Sequence, residues 1–203
     1  MAWGEGDNVH RLFGDHGHSN CEQFTPDSGL LALVGAPRQK TGSSASFHTF
    51  VRIHRVVDGF ELATLDDSNS PYPFDSPWFS PDGKIMVTSR QVWSENGGPP
   101  SNVLSWWNTA TWRLSGTVTS PFNSLAWSPD SRTAAVVVFV AGDGYRLVLR
   151  NFDGSAAGDL GHVDVYPAQP LAFSSDGRRI AVGGGGDTLR GTRRGRIQLF
   201  EIR

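Results

Sequence analysis

The chain has 203 residues, 38% of them hydrophobic and 11% aromatic, with 24 Gly, 12 Pro and a formal net charge of −2. That is enough apolar material for one large β domain or two small ones, and the near-neutral balance removes any global field that would draw the chain to nucleic acid or to an acidic membrane. The single cysteine, Cys21, excludes an intrachain disulfide, and no apolar run approaches the ~18 residues of a membrane span.

In chain order, residues 1–13 carry Glu5 and Asp7 and lack an apolar core, so they do not form a secretory signal. A soluble cytoplasmic protein is expected, unless a leader has been removed. Residues 8–14 (Asn8-Val9-His10-Arg11-Leu12-Phe13-Gly14) read as a strand. One phrase then recurs four times: Phe24-Thr25-Pro26-Asp27, Phe79-Ser80-Pro81-Asp82, Trp127-Ser128-Pro129-Asp130 and Phe173-Ser174-Ser175-Asp176. The steps between its aromatics are 79−24 = 55, 127−79 = 48 and 173−127 = 46 residues. A period of that size marks an array of supersecondary units. Apolar runs follow each copy, and no amphipathic helix of ten or more residues interrupts them.

Each unit reads as a four-stranded antiparallel meander, with strands a to d. The first has its a strand around Cys21, b over 30–35, c over 50–57 and d over 60–65. The second has b over 84–90, c over 102–107 and d over 112–118. In the third, a covers 122–128, b is the β-branched run 133–140, c covers 145–152 and d ends near residue 160. Strand c of this unit puts Leu147 and Leu149 on one side and Arg146 and Arg150 on the other. The fourth has b over 179–183 and c over 196–202, with no d strand.

The repeated phrase has a mechanical reason. Proline sets φ near −65° at the first turn position, and aspartate bonds back to its own backbone. Gly, or Ser at Ser28 and Ser131, takes the left-handed position. The preceding aromatic is expected to pack between neighbouring sheets.

Each c strand ends in an apolar residue followed by a polar one: Val57-Asp58, Trp107-Asn108, Phe152-Asp153 and Phe200-Glu201. Gly17-His18 and Gly161-His162 stand upstream of strand a in their units. With the four turn phrases, these pairs resemble the WD-repeat β-propeller family and its relatives with Ser-Pro-Asp-Gly repeats. The resemblance covers nearly the whole chain. It implies one all-β domain over residues 1–203, a propeller of four blades. In that family the N-terminal strand completes the last blade and closes the ring, which here assigns residues 9–14 to the edge of strand 196–202. Two arrangements satisfy such ends: a closed four-bladed monomer, and a homodimer forming one eight-bladed ring. A piece of a longer propeller is the third reading.

In such propellers the b–c and d–a loops share one face. Here the b–c loops are 36–49, 91–101, 141–144 and 184–195, and the d–a loops include 15–20, 66–77 and 161–170. Long irregular loops on a rigid scaffold are where binding residues concentrate. Tyr72, Phe74, Trp93, Tyr145 and Tyr166 supply aromatic anchors, and Arg190, Arg193, Arg194 and Arg196 form a basic patch able to grip a carboxylate or phosphate. Asp15, His16 and His18 have metal-ligand chemistry but no further ligands nearby in sequence. The chain has no Gly-x-Ser-x-Gly elbow and no phosphate-cradling loop. Cys21, in a strand, reads as a packed thiol. The expectation is a non-enzymatic scaffold without cofactor or metal that binds a protein or peptide on its loop-rich face. The rival is a small-ligand-binding or hydrolytic propeller using the mouth of its central channel.

Overall fold

The computed structural model describes residues 3–4, 11–12, 18–36, 50–66, 74–92, 101–121, 124–165, 170–184 and 195–202. Among them are seventeen strands and no helix, and hence no helix long and apolar enough to cross a membrane. Three sheets have four strands each, in chain order and antiparallel. The first unit is β3 (His18–Phe24), β4 (Leu30–Ala36), β5 (Phe50–Arg55) and β6 (Glu61–Asp66). The second is β7 (Phe74–Phe79), β8 (Ile85–Val92), β9 (Ser101–Asn108) and β10 (Arg113–Ser120), and the third is β11 (Leu125–Trp127), β12 (Ala134–Val140), β13 (Gly144–Arg150) and β14 (Ala156–His162). The fourth has three described strands, β15 (Leu171–Phe173), β16 (Arg179–Gly184) and β17 (Arg196–Glu201). The repeated meander expected from the sequence is therefore present in all four copies.

The N-terminal segment differs from expectation. β1 (Trp3–Gly4) and β2 (Arg11–Leu12) pair with one another, Trp3 opposite Leu12, and the described sheet of the fourth unit ends at β17. Among the described residues Arg11–Leu12 does not pair with β17, and the expected closure of the ring by residues 9–14 is not shown. The physical reason is range. Trp3–Gly4 and Arg11–Leu12 are separated by only six residues and meet at little loop-closure cost, whereas β17 lies more than 180 residues away in sequence.

The turn phrase is built as its chemistry demands. The Thr25, Ser80, Ser128 and Ser174 hydroxyls donate to Asp27, Asp82, Asp130 and Asp176 at 2.6–2.7 Å. The same oxygens accept the backbone N–H of Leu30, Ile85, Thr133 and Arg179 at 2.9–3.0 Å, which starts each b strand. Each carboxylate also accepts a backbone N–H two residues on, from Gly29, Lys84, Arg132 or Arg178. The left-handed position falls at Ser28 (φ 59°), Gly83 (70°), Ser131 (61°) and Gly177 (69°). Ser131 also ties two units together, its hydroxyl accepting the Asp82 N–H at 2.9 Å.

Packing between units supplies the core. Alternate residues of a strand point to opposite faces, so each sheet has a leading face toward the next unit and a trailing face toward the one before. Ala32, Val34, Val51 and Ile53 of the first unit meet Phe79 and Met86 of the second. Val87, Leu104 and Trp106 of the second meet Leu125, Ala134, Val136 and Val148 of the third. Ala135, Val137 and Leu147 of the third meet Ile180, Val182 and Phe200 of the fourth. Ala134, Ala135, Val136 and Val137 are consecutive and all fully buried, because β12 is covered on both faces. For the same reason Val148 is buried on the side of β13 that carries Arg146 and Arg150. The second and third units also approach closely at Gly116, where any Cβ would collide with the Asp153 carbonyl oxygen. The turn aromatics point to trailing faces as expected: Phe79 is buried, and Trp127 and Phe173 pack against the neighbouring cores.

Two tests follow from the turns. Ser80→Ala leaves the buried Ile85 N–H without its hydroxyl acceptor and should cost about 1–3 kcal/mol in urea denaturation. The second concerns acid. The bonds from Thr25, Ser128 and Ser174, followed by the backbone N–H groups, hold the Asp27, Asp130 and Asp176 carboxyls below their ordinary values. Burial pushes Asp82 up, but Ser80 and Lys84 outweigh it and the result is again a lowered value. A carboxylate lowered on folding stabilises the fold fully above its unfolded pKa of about 3.9, and that contribution is lost as pH falls through the folded value. The melting temperature should therefore hold level between about pH 7 and 5 and drop below about pH 4. A level profile to about pH 3 would show that the carboxylates contribute nothing.

Candidate functional site

The most completely described part of the expected binding face is the hairpin of the third unit. β12 and β13 are joined by residues 141–143, with the Asp143 N–H donating to the Val140 carbonyl at 3.0 Å. Gly142 (φ 83°) and Gly144 (φ 86°) supply the left-handed positions of this tight connection. The β12–β13 ladder runs on to Val140 opposite Gly144, carrying Phe139 and Val140 past the covered part of the sheet. They are 61% and 39% exposed. Phe139 stands opposite Tyr145, and the two rings meet edge-on, with centroids 5.5 Å apart at 60°. Tyr145 is half-buried, packed against the core between the third and fourth units.

Below this ridge the charges are already paired. Arg146 Nη1 donates to Asp143 Oδ2 at 2.6 Å and its Nε donates to Asp159 Oδ2 at 2.8 Å. Asp159 also accepts the Gly161 N–H at 2.9 Å. The Arg146 bond holds the Asp159 carboxyl below its usual range, and the two carboxylates raise the guanidinium pKa further. Beside them, Gln198 of β17 clamps the connection from the third unit to the fourth: its Nε2 donates to the His162 carbonyl and its Oε1 accepts the Asp164 N–H, both at 2.8 Å. The result is an apolar ridge on a rigid base in which one guanidinium is shared by two carboxylates. Arg146 is committed to its two carboxylates rather than held open for an incoming anion.

The structure brings together few of the residues expected here. Tyr145 lies on this ridge. Phe74 does not belong to the binding face: it is the first residue of β7, 5% exposed, packed among Val34, Val51 and Ile53. The loop expected over 66–77 ends earlier than Pro77, because β7 is an edge strand and tolerates a proline. Tyr72, Trp93, Tyr166, Arg190, Arg193 and Arg194 lie outside the described residues, as do Asp15 and His16. His18 is the first residue of β3, with its backbone opposite Ala36. Phe139 and Val140 were missed by sequence reasoning, which placed them at the end of the β-branched strand over 133–140. The available signal was the Gly-Asp-Gly turn, which places Phe139 across from Tyr145.

Other chemistry is scarce among the described residues. No group of three or more His, Cys, Asp or Glu is placed to hold a metal. The polar–apolar pairs that end the c strands act locally: Asp58, Asn108 and Asp153 accept the N–H groups of Phe60, Ala110 and Ser155, capping their turns. Two grooves of about 230 and 360 Å³ lie between the turn phrases of adjacent units. Their aspartates are the ones already engaged inside the turns. Phe74→Ala should cost about 3–5 kcal/mol as a core truncation. Phe139→Ser should cost no more than about 1.5 kcal/mol, the scale of its edge-to-face pair. Denaturant midpoints of the two variants separate core from surface.

No protein-family model matches the chain, and no curated protein matches it. Solved structures do match, and they are β-propellers. The propeller domain of the Trilobed protease from Pyrococcus furiosus, described as having an open velcro topology, aligns with a TM-score of 0.59 at 14% identity over 86% of this chain and 52% of that one. A eukaryotic initiation factor aligns with 0.59 at 19% identity, over 95% and 43%. An acylaminoacyl peptidase aligns with 0.63 at 12% identity, over 97% and 32%. The chain thus has a β-propeller fold and spans about half the length, or less, of the structures it matches.

Proposed function

We propose that this chain is a non-catalytic interaction module that binds a protein or peptide on its loop-bearing face. The observation that carries the reading is the ridge of Phe139, Val140 and Tyr145, exposed above charges that are already paired. A rigid aromatic and aliphatic ridge gains binding energy by burial at little conformational cost, and buried aromatics are the usual anchors of interfaces. Tyr72, Trp93 and Tyr166 are the further aromatic contacts this reading proposes, and Arg190, Arg193 and Arg194 the basic residues that would favour an acidic segment in the ligand. The likeness to an initiation factor is compatible with such a role and shows only the fold. A second reading, a small-ligand-binding or hydrolytic propeller using the mouth of its central channel, is favoured by the likeness to a protease and a peptidase.

Selection of a displayed random-peptide library on the purified chain tests the first reading. Selected peptides should lose about tenfold or more in affinity on Phe139→Ser, and acidic ones a similar amount on the double variant Arg193→Glu, Arg194→Glu. Peptides that bind both variants as well as the parent chain would remove the reading. Turnover of chromogenic acyl-peptide substrates by the chain alone would favour the second.

A further inference from the structure

The two outer faces of the array keep the composition of its internal contacts. Eight residues after each turn aromatic stand Ala32, Val87, Ala135 and Ala181, opposite Ile53, Trp106, Leu149 and Leu199 on the c strands. These are the leading faces. Ile53 and Trp106 are fully buried and Leu149 packs against the core of the next contact, but Leu199 is 65% exposed. Two residues earlier on the c strands the same holds: Val51, Leu104 and Leu147 are fully buried, and Ile197 is 75% exposed. The first unit's trailing face mirrors this. Phe24 occupies the position of the buried Phe79 yet is 54% exposed, and Leu31 sits where Met86, Ala134 and Ile180 are fully covered.

A leading face of this kind is covered three times within the chain, and each time its cover is the trailing face of a following unit. The unsatisfied leading face of the fourth unit therefore calls for a trailing face, and the chain has one free, on the first unit. Both are exposed in the same molecule, so they do not meet each other within it. We propose that a second copy of this chain covers both, the fourth unit of each copy packing on the first unit of the other. Such a head-to-tail contact closes after two copies under two-fold symmetry and leaves no apolar end. It makes eight blades, the top of the usual range of four to eight. This contact uses the sheet faces rather than the loop-bearing ridge, so it stands or falls independently of the peptide-binding role.

Light scattering and sedimentation of the 203-residue chain test it. The expected mass is twice 22.0 kDa, or 44 kDa. Leu199→Lys and Phe24→Glu each alter a side chain exposed in the single copy, so each variant should keep its strand circular dichroism and drop to 22.0 kDa. Mixing the two variants should restore the 44 kDa species. A mixed pair has one contact with both faces native and another that sets lysine against glutamate. A mass of 22.0 kDa for the parent chain at every concentration overturns the proposal. So does a dimer that survives both substitutions, or one that mixing fails to restore, since the pairing would then not be head-to-tail.

Discussion

Packing of one sheet's leading face on the next sheet's trailing face is the interaction on which the rest depends. A four-stranded sheet of this size cannot bury two apolar faces by itself. The central strands here are apolar on both, as the four consecutive buried residues from Ala134 to Val137 show. Each unit therefore depends on its neighbours to cover its apolar faces, and the array is a stack rather than a set of independent modules. The closeness of that stack explains the glycine at Gly116 and the hydroxyl of Ser131 reaching the Asp82 backbone of the preceding unit. It also explains why the outermost faces carry exposed Phe24, Ile197 and Leu199.

The turn phrases make this stacking repeatable. Each Ser or Thr hydroxyl and each Asp carboxylate closes a short network within the turn, which sets the register of strand b against strand a. Once the register is set, the aromatic before the turn points to the trailing face in every copy. The same rigidity serves the opposite end of the sheets. The hairpin of the third unit can hold Phe139 and Val140 clear of the core because β12 and β13 are anchored below them. Arg146, saturated by Asp143 and Asp159, stiffens the base without offering a free charge.

The candidate site was less legible than the fold. Tyr145 was recognisable as an aromatic beside a glycine-rich turn. Phe74, an aromatic among Pro, Ser and Asp, looked the same in sequence but begins a strand and fills the core between the first two units. Phe139 looked like the end of a β-branched strand and is exposed. Nothing local distinguishes these cases. Whether a strand residue is covered depends on how far the neighbouring sheet extends, and that is a property of a partner about fifty residues away.

What the sequence alone determined was whatever acts over about six residues: the four meanders, their turns, and the left-handed backbone at Ser28, Gly83, Ser131 and Gly177. The Ser or Thr hydroxyl and the Asp carboxylate impose the turn in all four copies, including the one with Ser175 in place of proline. The tertiary structure decided which face of each strand is covered, where Phe74 and Phe139 come to lie, and that Arg11–Leu12 pairs with Trp3–Gly4 rather than with β17. These outcomes rest on contacts between distant segments. Their free energies depend on surface that exists only once the neighbouring sheets are in place.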